Sequence, residues 1–132
     1  MTAHKTASSP ERLMLMFAER AADGDAEGLL ALYEPDAEFE PQIGVVLRGR
    51  DQIGDALTAL AAMKPRIAYD GQPDVVVVDD IAMVSNTWAM SALLPDGSTH
   101  RDGGLSADVL RRQADGSWLV LIDQPRGATL TP

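Results

Sequence analysis

The chain has 132 residues, a net charge of −9 at pH 7 and no cysteine. That length holds one domain with a core but not two, the acidic balance repels nucleic acid and anionic membrane surfaces, and the lack of cysteine removes disulfides and thiolate metal sites. No apolar run approaches the ~20 residues of a membrane span, and the opening segment MTAHKTASSPE has no apolar core of the signal-peptide kind, so a cytoplasmic protein is expected.

Residues 1–8 are small and polar and read as a frayed tail; residues 9–127 read as one domain, with 128–132 as a C-terminal tail. Ser9-Pro10-Glu11 is a helix start, with an N-cap serine, a proline in the first turn and an acid at the positive helix end. Leu13, Met14, Phe17, Ala18 and Ala21 then form an apolar stripe that Gly24 ends. Asp25 caps a second helix predicted through Tyr33, where Pro35-Asp36 stops it. Short strands follow at 37–41 and 44–48. A third helix opens on Asp51, carries Ile53, Leu57 and Leu60 on one face, and closes at Lys64-Pro65.

From there the pattern is strand: 66–69, 75–78, 81–94, then LSADVLRRQADGSWLVLIDQP, two strands around a turn at Ala114-Asp115-Gly116. Three helices followed by an antiparallel meander predict an α+β domain with the helices on one face of a curved sheet. Alternation puts Ser106, Asp108 and Leu110 on one face of the first hairpin strand. On the second, it separates Leu119, Leu121 and Asp123 from Trp118, Val120 and Ile122. Both faces of that strand are apolar, so both need cover. The chain's helices supply one, and a homodimer through the outer sheet face, with Trp88, Trp118, Val120 and Ile122, is expected to supply the other.

The run FAERAADGDAEGLLALYEPDAEFEPQIGVVLRGRDQI and, much later, DVLRRQADGSWLVLIDQP resemble the nuclear-transport-factor-2-like superfamily, within it the SnoaL-like and ketosteroid-isomerase-related group. The marks are Gly24-Asp25, Leu32-Tyr33 with Asp36-Ala37, Gly49 with Asp51-Gln52-Ile53, Arg111-Arg112, Asp115-Gly116 and Trp118, spread over about residues 12 to 125. The resemblance implies a cone-shaped, cystatin-like α+β barrel: three N-terminal helices on the concave face of a bent sheet, a pocket at the wide end, and dimers through the outer face. Ketosteroid isomerase, a worked case of tuned carboxyls, uses an aspartate base with a tyrosine and a protonated aspartic acid as oxyanion donors. Carried onto this chain, the base falls at Pro41, the tyrosine at Phe17, and only the oxyanion acid finds a match, at Asp108.

The residues themselves offer another set. Asp108 and Asp123 are predicted to face one apolar hollow, where burial raises their pKa values and mutual repulsion separates them, as acid and base require. His100 and Asp102 share that parity unless Gly103-Gly104 carry a bulge, and His with Asp makes an oriented base. Phe17, Tyr33, Phe39, Leu110 and Leu121 are the expected ligand wall. His4 and His100 are the only histidines, so no metal and no cofactor is expected. Three readings stay open: an enzyme of proton transfer or hydrolysis on an apolar, ring-bearing metabolite; a dimeric module that binds a hydrophobic ligand without chemistry; and an interaction domain with a collapsed pocket.

Overall fold

The structure is a computed structural model that describes residues 5–127; residues 1–4 of the tail expected at 1–8, and the whole of the tail expected at 128–132, lie outside the described residues. Ser9 accepts a hydrogen bond from Arg12 N at 3.0 Å and caps α1 (Pro10–Ala22). Asp25 does the same for α2 (Ala26–Leu30) through Gly28 N at 2.9 Å. The strands and third helix follow as β1 (Tyr33–Gln42), β2 (Val45–Arg48), α3 (Gly49–Ala62), β3 (Arg66–Tyr69), β4 (Asp74–Val78), β5 (Ile81–Leu93), β6 (Thr99–Arg112) and β7 (Trp118–Asp123).

The seven strands form one curved, unclosed sheet in the order β2-β1-β7-β6-β5-β3, with β4 also paired to β5. α1 packs on β3 and β7, and α3 packs on β1 and β2. Leu13, Leu29, Ile53, Leu57, Val84 and Leu110 meet in the core between the two layers, where burying apolar surface is the main stabilising term. Glu34, itself buried, accepts a bidentate pair of bonds from Arg111 at 2.6 and 2.8 Å, tying β1 to β6 across β7.

Several local expectations are corrected. The second helix ends at Leu30, and Tyr33 opens β1 instead of closing a helix. Pro35, expected to be a stop, lies inside this strand, where the register against β7 shifts between Tyr33 and Glu38; a proline is tolerated at such an irregularity because a ladder bond is already absent. The sheet is not antiparallel throughout, since β1 runs parallel to β7. α3 begins at Gly49, two residues before Asp51, and Gln52 Oε1 reaches back to Arg48 N at 2.9 Å in place of an aspartate cap. Ala7, assigned to the tail, is fully buried, and its carbonyl accepts from Trp118 N at 2.9 Å.

The parity of the closing strands decides the site. β5 and β6 pair without interruption from Ile81↔Arg111 to Leu93↔Thr99, so Gly103 and Gly104 carry no bulge. β6 and β7 do slip: Leu110 faces Val120, but Val109 faces Ile122, leaving Leu121 as the extra residue of a bulge. Before the bulge Trp118 and Val120 therefore point inward with Leu110; after it, Asp123 points inward and Ile122 outward. Trp118 and Val120 are buried in the core and are not on the outer face expected for them. Trp88 is also inward, opposite Gly104, where the missing side chain leaves room for the indole.

Candidate functional site

Between the helices and the concave face lies a cavity of about 430 Å³. Phe17 of α1, Leu57 and Leu60 of α3, Tyr33 and Phe39 of β1 and Ile67 of β3 supply much of its apolar wall. Its polar groups come chiefly from the sheet: Asn86 on β5, Asp102, Ser106 and Asp108 on β6, and Asp123 at the end of β7. The alternation of β6 puts Ser106 and Asp108 on the inner face, and the β7 bulge brings Asp123 to the same hollow.

The carboxyls of Asp108 and Asp123 both line the cavity and act on each other, so they titrate as a coupled pair. Desolvation pushes Asp108 well above the usual carboxylate range, and the charge of Asp123 pushes it further; Gln124 N, donating at 2.9 Å, opposes this. Burial also raises Asp123, but there the Tyr33 hydroxyl and the Asp108 carboxyl both donate to it and favour its charged form. Both carboxyls are thus raised, with the hydrogen bond from Tyr33 opposing the rise at Asp123. Burial and the neighbouring acids raise the Tyr33 and Tyr69 hydroxyls, which stay neutral donors; Tyr69 Oη donates to Met14 O at 3.0 Å.

This coupling has a consequence for stability. A carboxyl with a folded pKa above its unfolded value of ~3.9 favours the folded state most at low pH, and that contribution is lost as pH rises through the folded value. Asp108→Asn keeps the size of the side chain and carries no titration. Thermal melts are expected to show the variant several degrees more stable than the parent at neutral pH, with the gap closing towards pH 4. A gap that does not change with pH excludes the raised carboxyl.

A second polar cluster lies where the lining is more exposed. Arg126 donates to Asp102 at 2.5 Å and to Gly103 O at 3.0 Å, and its guanidinium lies 5.7 Å from the centre of the Trp88 ring. Trp88 Nε1 donates to Pro125 O at 2.7 Å. Burial alone would raise Asp102, but hydrogen bonds from Arg126 and Gly103 N together with the Arg126 charge outweigh it and hold the carboxyl below its usual range. Both glycines here face close neighbours: a Cβ on Gly103 would stand 2.9 Å from Trp88 O, and one on Gly104 3.1 Å from Pro125 O.

Of the expected site residues, the cavity gathers Asp108, Asp123 and Asp102 with Phe17, Tyr33 and Phe39. It does not gather the rest. His100 is exposed at the start of β6 and does not line the cavity; its charge acts on Asp102, whose side chain hydrogen-bonds to Arg126. Leu110 is fully buried in the core, one residue pair beyond Asp108, and does not line the cavity. Leu121 is taken off the inner face by the bulge. Trp88 and Val120, expected outside, are part of the wall. Pro41 and Phe17, which stand where the isomerase comparison puts a base and a tyrosine, do line the cavity with Asp108. The hydroxyl and second carboxyl come from elsewhere, Tyr33 and Asp123.

Tyr69, Asn86 and Arg126 join the expected residues in the cavity wall, as does Ser106, which alternation puts on the face of Asp108. One of them carried a legible signal: Asn86 sits between Val84 and Trp88 in the period-two pattern of β5, a polar residue on an apolar stripe. Among the described residues no cluster of three or more metal-ligating side chains is present, and no helix is long and apolar enough to cross a membrane.

The profile of the SnoaL-like domain matches residues 15–120. Among solved structures, a candidate scytalone dehydratase from Novosphingobium aromaticivorans superposes with a TM-score of 0.79 at 15% identity, covering 92% of both chains. A nuclear transport factor 2-like superfamily protein from Salmonella enterica gives 0.75 at 18% identity, over 92% of this chain and 91% of that one. An uncharacterized protein with a cystatin-like fold from Caulobacter vibrioides gives 0.68 at 20% identity, over 84% and 81%. Likeness at these identities concerns the fold alone. No curated protein matches the chain.

Proposed function

The chain belongs to the SnoaL-like domain family, and on that premise we propose that it is an enzyme of proton transfer at carbon, acting on an apolar, ring-bearing small molecule. The observation that carries this reading is the pair of carboxyls, Asp108 and Asp123, that line a mostly apolar cavity of about 430 Å³, where burial raises both. Such a volume suits a ligand of two or three fused rings, and the scarcity of polar wall favours one with little charge. Asp123, the charged member, takes a proton from a carbon beside a carbonyl. Asp108, the protonated member, returns a proton to a neighbouring carbon or to a leaving oxygen, giving isomerisation or elimination. Charge is conserved across the pair, since one carboxyl gains what the other gives. Tyr33 orients Asp123 throughout by its hydrogen bond.

A direct test uses α-tetralone, a bicyclic ketone, in heavy water. Exchange of its protons beside the carbonyl, followed by NMR, is expected to run faster with the protein than with buffer of equal carboxylate concentration. Saturable binding with no acceleration favours the second reading, a non-catalytic pocket for a hydrophobic ligand, which the apolar wall also supports.

The proposal includes a second copy of the chain on the outer sheet face. Val76 pairs with Met83 and Val78 with Ile81, and Leu105 lies on the same side of β6; all five are exposed. With Val109 and Ile122 they make a continuous apolar patch, of the kind that marks an interface. Cover by a twin subunit rests on these side chains rather than on the tryptophans. Sedimentation equilibrium at micromolar concentration is expected to give a dimer, and Met83→Glu a monomer; a monomeric parent ends the dimer proposal.

A further inference from the structure

Among the described residues two buried side-chain polar atoms lack a hydrogen-bond partner, Asn86 Nδ2 and Arg126 Nε. Both residues line the cavity. Arg126 spends its other nitrogens on Asp102 and Gly103, so its charge is met. Asn86 is different: it is 94% buried, a neutral amide placed between Val84 and Trp88 on the inner face of β5, with a donor left over. A buried donor without a partner destabilises the fold, and an apolar side chain of the same shape at that position would not. Stability alone therefore does not account for an asparagine here.

The surroundings define what the amide can reach. Asn86 faces Ser106 across the ladder and Asp108 faces Val84, so Asn86 and Asp108 are diagonal neighbours on one face, positions roughly 7–8 Å apart in such sheets. Ser106 Oγ accepts from Asn86 N at 3.1 Å and donates to Asn86 O at 3.3 Å, which pins the backbone and leaves the side-chain amide as the movable part. The last torsion of an asparagine is soft. A turn about it swings the amide N–H out of the wall and into the cavity, which Asn86 already borders together with a second hollow beside Ile67 and Gly71.

We propose that Asn86 is the specificity-determining residue of the cavity: its amide donates to an oxygen acceptor on the ligand, set one residue pair along the sheet from the atoms that meet Asp108 and Asp123. This rests on the reading that the cavity holds a small apolar molecule, and it narrows that class to ring compounds bearing a carbonyl or ether oxygen at that spacing. A ligand without the acceptor leaves the donor unmet, and a buried unmet donor discriminates more sharply than a change in apolar size.

The experiment compares α-tetralone with tetralin, the same two-ring skeleton without the oxygen. Dissociation constants for both are measured by titration of the parent, Asn86→Leu and Asp108→Ala. The quantity read is the ratio of the tetralin to the tetralone constant, which cancels differences in overall hydrophobicity between proteins. It is expected to fall about tenfold in Asn86→Leu, the worth of one buried hydrogen bond, and to hold in Asp108→Ala. Asn86→Ala carries the same expectation and serves if the leucine variant does not fold. A ratio unchanged in both Asn86 variants, or lost only in Asp108→Ala, overturns the assignment while the cavity keeps its ligand. Failure of the parent to bind either compound overturns the cavity reading and the assignment together.

Discussion

Asp123→Asn is expected to slow exchange of the tetralone protons by about 10² to 10⁴, the usual contribution of a positioned general base. Asparagine keeps the volume of the carboxylate and still offers an oxygen to the Tyr33 hydroxyl, so the hydrogen bond that holds the side chain survives. What it cannot do is accept a proton from carbon. Asp108→Asn is a milder change, since it removes proton return and leaves the base in place. The pH dependence follows from the coupling of the two carboxyls. Activity needs one carboxylate and one carboxylic acid, so it rises as the first proton leaves the pair and falls as the second does. Both steps lie displaced towards higher pH, because desolvation raises each carboxyl. Exchange that proceeds at the parent rate in Asp123→Asn ends the assignment of the base.

Trp118→Ala is expected to cost about 3–5 kcal/mol of stability, the range for emptying a buried large aromatic site. For a domain of this size that is a drop in melting temperature of roughly 10 °C or more. The magnitude separates two placements of the indole. On the outer sheet face, its removal would chiefly weaken association between copies. In the core it is 5% exposed, packed under the segment that carries Ala7 and beneath the Arg112 guanidinium at 5.5 Å. The backbone bond from Trp118 N to Ala7 O survives the substitution, so the loss measured is that of the buried indole. Denaturation that shifts by only a degree or two, together with loss of the dimer, would return Trp118 to the outer face.

The contrast between these two residues explains which parts of the site were legible. Asp108 was placed by alternation along β6, and alternation held because β5 and β6 pair without a break. Trp118 and Leu121 were misplaced by the same rule, because β7 inserts one residue against β6 and reverses its parity midway. Asp123 lies beyond the bulge, so the simple rule gave the right side for it while misplacing Val120 three residues earlier. Tyr33 was expected at the end of a helix and in the ligand wall. It does line the cavity, but as the first residue of β1, and its position beside Asp123 comes from a parallel pairing that local patterning does not reveal.

The amino-acid sequence by itself determined the α+β class, the caps of the first two helices, most strand positions and the Asp115-Gly116 turn. Each of these depends on side chains within a few residues of one another: a serine beside its N–H, a glycine at positive φ, a period of two or 3.6. The tertiary structure alone decided which carboxyls meet in the cavity, which aromatic rings face inward and which donor is left without a partner. Those outcomes turn on the offset between strands far apart in the chain. One inserted residue there moves a side chain from solvent to core and is fixed by the packing of the whole sheet, not by its neighbours in sequence.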